Sequence, residues 1–246
     1  VDDLVPYLLL IAAGIAASIL NVLAGGGSFL TLPILIFLGL PTVVANATNR
    51  VGVLMQNLSA VWGFHSAGVL DWRWALTASV PAVAGAALGT WAALFVGDEL
   101  FRRILAFVMV VVTIATLFAP EPRPADAAHP ARSWVVASGF LLVGLYGGFL
   151  QAGVGLLVLA ITTWAGLDLV RGNAIKVVTV MIVTVLALAI FAAHDTIHWP
   201  MGIALAVGNT LGGLIGVRLA VTKGHRWLKG VVTITVIAFA IRLWMQ

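Results

Sequence analysis

The chain has 246 residues, of which 62% are hydrophobic and 9% charged, with a mean hydropathy of +1.12, too little polar surface to cover a water-soluble globule of this size. Long apolar runs separated by short polar joints, without evenly spaced alternating segments, favour membrane helices over a transmembrane barrel. The net charge of +4 rests on 13 basic residues, mostly in joints, a topology signal that carries no hint of a nucleic-acid partner, and the absence of cysteine excludes disulfides, thiolate metal sites and thiol catalysis.

The first predicted helix runs from about 4 to 24; no basic segment precedes it, so it is expected to remain as a span rather than a cleaved signal. Gly25, Gly26, Gly27 and Ser28 then interrupt the apolar pattern, and a short helix follows to about residue 39. A helix of roughly 12 residues rises about 18 Å against a hydrocarbon core of about 30 Å, so this piece is a half-helix or a strongly tilted span. The break frees backbone groups that lipid cannot satisfy, and polar partners must meet them.

The next helix starts near Pro41 and carries Asn46, Thr48, Asn49, Arg50, Gln56 and Asn57. Arg50, nine residues in, lies roughly 13 Å deep, near the midplane. A cation there costs at least about 2.5 to 3.5 kcal/mol and demands a partner, water or a ligand, unless it snorkels to an interface. Asp71, Asp98, Glu99, Glu121, Asp126, Asp168 and Asp195 all fall in joints or the linker, so the expected partner is an anion from outside the chain. Asn46, Asn49 and Arg50 follow i, i+3 and i+4 and can share a face.

Two more long helices complete a first half, 1–118, and "APEPRPADAAHPAR" at 119–132 reads as an exposed linker. The second half, 133–246, opens with a helix over about 133 to 151, a break at Gln151, Gly153 and Gly155, a short helix to about 166 and again three longer helices; Asn173, Lys176 and Thr179 lie beyond the break. A single ungapped offset of 127 residues carries Gly39, Leu40, Val43, Asn46, Ala47, Val51 and Val53 onto identical residues, and pairs Gly26 with Gly153, Phe64 with Phe191, Trp72 with Trp199, Gly85 with Gly212 and Gly89 with Gly216. Duplication accounts for these matches, so the predicted fold is an all-α polytopic membrane protein of two homologous halves, each with a Gly-broken first helix, and about eight to ten membrane segments. Paired discontinuous helices are how many secondary transporters aim helix ends and bare backbone at a substrate.

Four spans per half would make the halves parallel, five would make them inverted; charge bias does not separate these. Both place the termini outside, with the linker outside for four spans and inside for five. His65, His194 and His198, beside Asp71 and Asp195, are candidate proton relays or simple end residues. Arg218 reads as a snorkelling end residue, and Trp72, Trp74, Trp199 and Trp227 as interfacial anchors.

The stretch "AGGGSFLTLPILIFLGLP" followed by "ANATNR" and "VLDW", with the second copy "QAGVGLLVLAITTWAGL" and "GNAIK", resembles the sulfite exporter TauE/SafE family over nearly the whole chain. The resemblance implies a bacterial or archaeal inner-membrane transporter of small sulfur-containing anions such as sulfite, sulfoacetate or other organosulfonates. A proton or another ion as coupling partner is left open. It points to Gly25 to Ser28, Thr48, Asn49 and Arg50, and to Gly153, Gly155, Asn173 and Lys176. The second copy lacks the richer glycine run and the hydroxyl usual near Ile175, which implies unequal use of the halves.

The expected substrate site therefore comprises Gly25, Gly26, Gly27, Ser28, Asn46, Thr48, Asn49, Arg50, Gln56, Gln151, Gly153, Gly155, Asn173 and Lys176, with no cofactor, metal or catalytic residue and with oligomeric state left open. An anion channel would use the same cations without coupling. An intramembrane serine protease built on Ser28 with His65 or His194 meets Phe29 where a glycine is required, and a purely structural subunit leaves both breaks without a reason.

Overall fold

The computed structural model describes the backbone of residues 4–117 and 133–244, with side chains described to Val111 in the first stretch, Ala24 excepted, and to Thr222 in the second. The predicted linker, 119–132, the boundary at 118 and the Trp227 side chain lie outside the described residues.

Among the described residues all regular secondary structure is helical: α1 (Val5–Ala24), α2 (Ser28–Phe37), α3 (Thr42–Ser66), α4 (Trp72–Phe95), α5 (Asp98–Leu117), α6 (Ser133–Phe149), α7 (Val154–Trp164), α8 (Leu169–Ala192) and α9 (Trp199–Trp244). The result is an all-α membrane bundle in which, among the described residues, four helices are long and apolar enough to cross a bilayer, over Val5–Leu23, Trp72–Phe95, Leu169–Ala192 and Trp199–Thr222. With 25 residues α3 is as long as these, and it buries a polar face from lipid instead of presenting an apolar one.

Helix boundaries follow local chemistry. Asp71 caps α4 by accepting from Trp74 N, and Asp168 caps α8 by accepting from Val170 N and Arg171 N. Gly25 ends α1 in the left-handed region at φ 86°, where its N–H returns to the Asn21 carbonyl. One expectation fails here: the second half has no third long helix, because α9 continues unbroken from Trp199 to Trp244. The residues from Thr222 to Trp244 contain two isolated glycines, Gly224 and Gly230, and no proline, so nothing forces the helix to stop.

Small residues set the packing. Gly208 and Gly212 of α9 lie against Ile11 and Ile15 of α1, and Gly216 against Ile19 and Val22, so the two helices run in the same direction. Gly85 and Gly89 of α4 lie against Leu141 and Leu145 of α6, while Gly144 and Gly148 answer with Ala82 and Ala86, again in the same direction. A Cβ on Gly85 would stand 2.0 Å from the Leu141 carbonyl oxygen, an approach that only glycine allows and that replaces the missing hydrophobic drive between helices in lipid. Gly52 against Leu205 and Gly63 against Val217 make α3 and α9 codirectional too.

The short helices fold back. Gly27 at the head of α2 contacts Ala17 and Asn21 of α1, and Gly139 and Gly147 of α6 contact Ile161 and Val154 of α7. Each first helix and its short successor therefore form a hairpin rather than a kinked rod.

Trp74 is half-buried and packs edge-on against Phe140 at 5.7 Å, joining α4 to α6. One expected surface role is corrected. Arg218 is exposed but lies well inside α9, because that helix does not end near it.

Candidate functional site

The two hairpin turns meet. A Cβ on Gly25 would lie 2.5 Å from the Gly155 carbonyl carbon, and one on Gly153 would lie 2.6 Å from the Phe29 ring. Around this contact the structure collects the polar residues of α3 and α8.

At the turn between α6 and α7, Arg50 is wholly buried. One guanidinium nitrogen donates to Gln151 Oε1 at 2.7 Å and the other to the Gly148 carbonyl at 2.7 Å, while the Phe191 ring lies 5.1 Å from the guanidinium carbon. Gly148 is in the last turn of α6, so the cation sits where the helix dipole is negative. Asn46 completes the cap: its Nδ2 donates to the Phe149 carbonyl at 3.0 Å and its Oδ1 accepts from Gln151 N at 3.3 Å. Gln151 also donates to Thr184 Oγ1 at 3.4 Å, and Thr90 Oγ1 donates to the Gly148 carbonyl at 3.1 Å. Arg50 Nε alone lacks an acceptor.

At the turn between α1 and α2, Lys176 is 3% exposed. Its ammonium donates to the Asn21 carbonyl at 2.7 Å, the Val22 carbonyl at 2.9 Å and Asn173 Oδ1 at 2.6 Å, which uses all three hydrogens. These carbonyls belong to the last turn of α1, so Lys176 caps α1 as Arg50 caps α6. Asn49 bridges α2 to α3, donating to Ser28 Oγ at 3.1 Å and accepting from Thr31 Oγ1 at 2.6 Å. Asn21 Nδ2 donates to Gln56 Oε1 at 3.0 Å, which brings Gln56 to the same turn.

Both buried cations meet neutral dipoles of the chain itself. Among the described residues the ion pairs, Arg102 and Arg103 with Glu99 and Arg171 with Asp168, all lie at exposed helix starts, and both buried cations are held by carbonyls and amides. Snorkelling is corrected for Arg50 and Lys176, since neither reaches an exposed surface.

Of the expected site residues, Gly25, Gly27, Ser28, Asn46, Asn49, Arg50, Gln56, Gln151, Gly153, Gly155, Asn173 and Lys176 line the two turns or hold the groups that do. Gly26 is part of the first turn and half-buried. Thr48 is elsewhere: its hydroxyl accepts from His198 N at 2.9 Å, tying α3 to the start of α9. Sequence reasoning missed Asn21, Thr31, Thr90 and Thr184; an asparagine four residues before a glycine turn was the available signal for Asn21.

The histidines behave as end residues. His65 Nδ1 accepts from Trp72 Nε1 at 3.2 Å, His198 Nδ1 faces Met201 N, and His194 Nδ1 lies 2.8 Å from the Ile190 carbonyl. Ser28 is bonded to Asn49, not to a histidine, so the protease constellation is absent from these residues. A separate cavity of about 390 Å³ opens between the starts of α4 and α6, lined by Asp71, Arg73, Trp74, Ser133 and Phe140, and none of the expected site residues borders it.

Residues 10–243 match the family described as sulfite exporter TauE/SafE. The chain is similar to a probable membrane transporter protein, ORF9, of Sinorhizobium sp, 29% identical over 98% of this chain and 94% of the relative. It is also similar to a probable membrane transporter protein of Haemophilus influenzae, 27% identical over 92% of this chain and 89% of the relative, and to the probable membrane transporter protein YfcA of Escherichia coli K12, 25% identical over 89% and 82%. No solved structure matches the chain.

Proposed function

Since the chain belongs to the sulfite exporter TauE/SafE family and is a multi-pass transporter of the inner membrane rather than an enzyme, we propose that it carries one small sulfur oxyanion, such as sulfite, sulfoacetate or another organosulfonate, by alternating access. Arg50 and Lys176 supply positive charge, and Asn49, Ser28 and the backbone at Gly26 and Gly153 supply donors. The observation that carries this reading is Arg50: a fully buried cation with no carboxylate partner and an unused N–H, beside the contact of two glycine turns.

We further propose that the chain is two homologous halves, 1–118 and 133–246, joined by the linker 119–132 and inverted relative to each other. Helix direction supports inversion. α1, α3 and α9 run one way, the short joint 67–71 reverses the chain into α4, and α6 runs with α4. α1 and α6, which the 127-residue offset pairs, therefore run in opposite directions. The packing is reciprocal as well: α1 lies on α9 and α6 on α4, the last paired helix of the other half. In such an arrangement, rocking one half against the other exposes a site at their interface alternately to each side, and a proton or other ion can drive the cycle.

Thermal stabilisation of the purified protein by sulfite, sulfate, thiosulfate, sulfoacetate and taurine tests the reading. A raised melting midpoint with a sulfur oxyanion, lost in Arg50→Ala, is the expected result. Unchanged shifts in both Arg50→Ala and Lys176→Ala sink the site, and flux that neither saturates nor supports counterflow in vesicles would make the protein a channel.

A further inference from the structure

Resting on the anion-site reading above, we infer that Asn57 is the anion's donor at the first glycine turn, the partner of Arg50 at the second. Asn57 is 1% exposed, and its Nδ2 has no acceptor. Among the described residues three buried side-chain atoms lack a hydrogen-bond partner, and two of them are donors: Arg50 Nε and Asn57 Nδ2. The third, Asn209 Oδ1, is an acceptor pressed against Gly14 where α1 meets α9, away from both turns.

Position assigns the two donors to the two turns. Asn46, Arg50, Val53 and Asn57 follow i, i+4, i+7 and i+11 and share one face of α3. Val53, between the donors, packs in the cluster that contains Val154 of α7 and Val180 and Val183 of α8, so the face is turned inward. Arg50 lies at the end of α6. Asn57 lies at the end of α1, because its Oδ1 accepts from Gln56, which accepts from Asn21, whose carbonyl is held by Lys176. Each turn thus has one cap that is complete or nearly so and one donor left open.

Lys176 has no hydrogen to spare, since all three are given to Asn21, Val22 and Asn173. At the first turn the open valence therefore belongs to Asn57, and Lys176 is a positioning residue that holds the end of α1. A donor buried in a membrane interior without an acceptor is costly to keep and is satisfied by a ligand rich in acceptors, which a sulfonate or sulfite with three oxygens is.

Asn57→Leu, of the same γ-branched shape though bulkier and without a donor, separates a binding role from a structural one. The measurements are melting midpoints of the full-length protein in detergent, alone and with sulfite or sulfoacetate, beside Glu99→Gln, which alters only an exposed ion pair. Expected for Asn57→Leu is an unliganded midpoint equal to or above wild type, because the open donor is gone, together with an affinity for the probe anions lower by about tenfold or more. Glu99→Gln should keep affinity within about threefold, because it touches neither turn. An Asn57→Leu protein that melts lower unliganded yet binds the anions as wild type does overturns the assignment and leaves the Arg50 site standing. A folded wild-type protein that no probe anion stabilises, even at saturating concentration, overturns the anion site itself and this assignment with it.

Discussion

The two glycine turns solve the same problem with different residues. Both leave helix-end carbonyls in a region where lipid offers no donor, and both receive a cation from a long helix, Arg50 from α3 for α6 and Lys176 from α8 for α1. The 127-residue offset pairs Lys176 with Asn49 and Arg50 with Val177, so the cations are neighbours of equivalent positions rather than equivalents. What the two ends share is the electrostatic requirement of a helix C-terminus in low dielectric. They differ in spare valence: the lysine is saturated, whereas the arginine fork serves a carbonyl, an amide and an aromatic face and keeps one N–H open.

The sharpest way to break this comparison is to push the turns apart. Gly25→Ala places a Cβ 2.5 Å from Gly155 backbone at a residue with φ 86°, and overpacking together with the left-handed penalty should lower stability by about 3 kcal/mol. Gly39→Ala is the control: its φ is 96° but nothing lies within 4 Å of the added methyl, so only the conformational cost of about 1 kcal/mol remains. Equal losses of melting midpoint in the two variants would show that the turns do not depend on their contact.

Next in size is Arg50→Ala, which should weaken binding of sulfite or sulfoacetate on the order of a hundredfold, measured by titration, since a charge-assisted donor is lost. Lys176→Met should leave anion affinity less affected and lower stability by about 2 kcal/mol, because the Asn21 and Val22 carbonyls lose a donor. If the two variants exchange these phenotypes, the roles assigned to the turns are reversed. The smallest effect belongs to exposed Glu99, whose carboxyl is held below its ordinary range first by the hydrogen bond from Arg103 and then by the charge of Arg102. A depressed carboxylate pKa stabilises the fold above the ordinary value near 4.5 and ceases to as pH falls through the lowered one. Glu99→Gln should therefore differ slightly from wild type in melting midpoint at pH 7, converge with it in acid, and bind the anions unchanged.

Particular residues show how far the chain could be read without its structure. The burial of Arg50 and Lys176 and the shortness of α2 and α7 were legible, because cations inside apolar runs must be shielded from lipid and the apolar runs there are short. The partners of those cations were not. Gly148 and Asn21 act through backbone carbonyls, which every residue possesses and no side-chain pattern announces. Thr48 was grouped with Asn49 and Arg50 by proximity in sequence, yet a rotation of about 100° per residue sends it toward α9 and His198. Trp74 carried an interfacial composition signal and was drawn into the α4 and α6 contact by Phe140.

Composition and hydropathy by themselves determined that this chain lives in a bilayer as a helical bundle, since backbone groups there must be satisfied within a helix. The placement of glycines determined where helices would stop or approach closely. Only the tertiary structure decided that the short helices fold back as hairpins, that α1 runs with α9 and α4 with α6, and which carbonyls hold the buried cations. Those outcomes depend on which faces meet between helices both adjacent and distant in sequence, and helix ends become binding partners only once another helix has been brought against them.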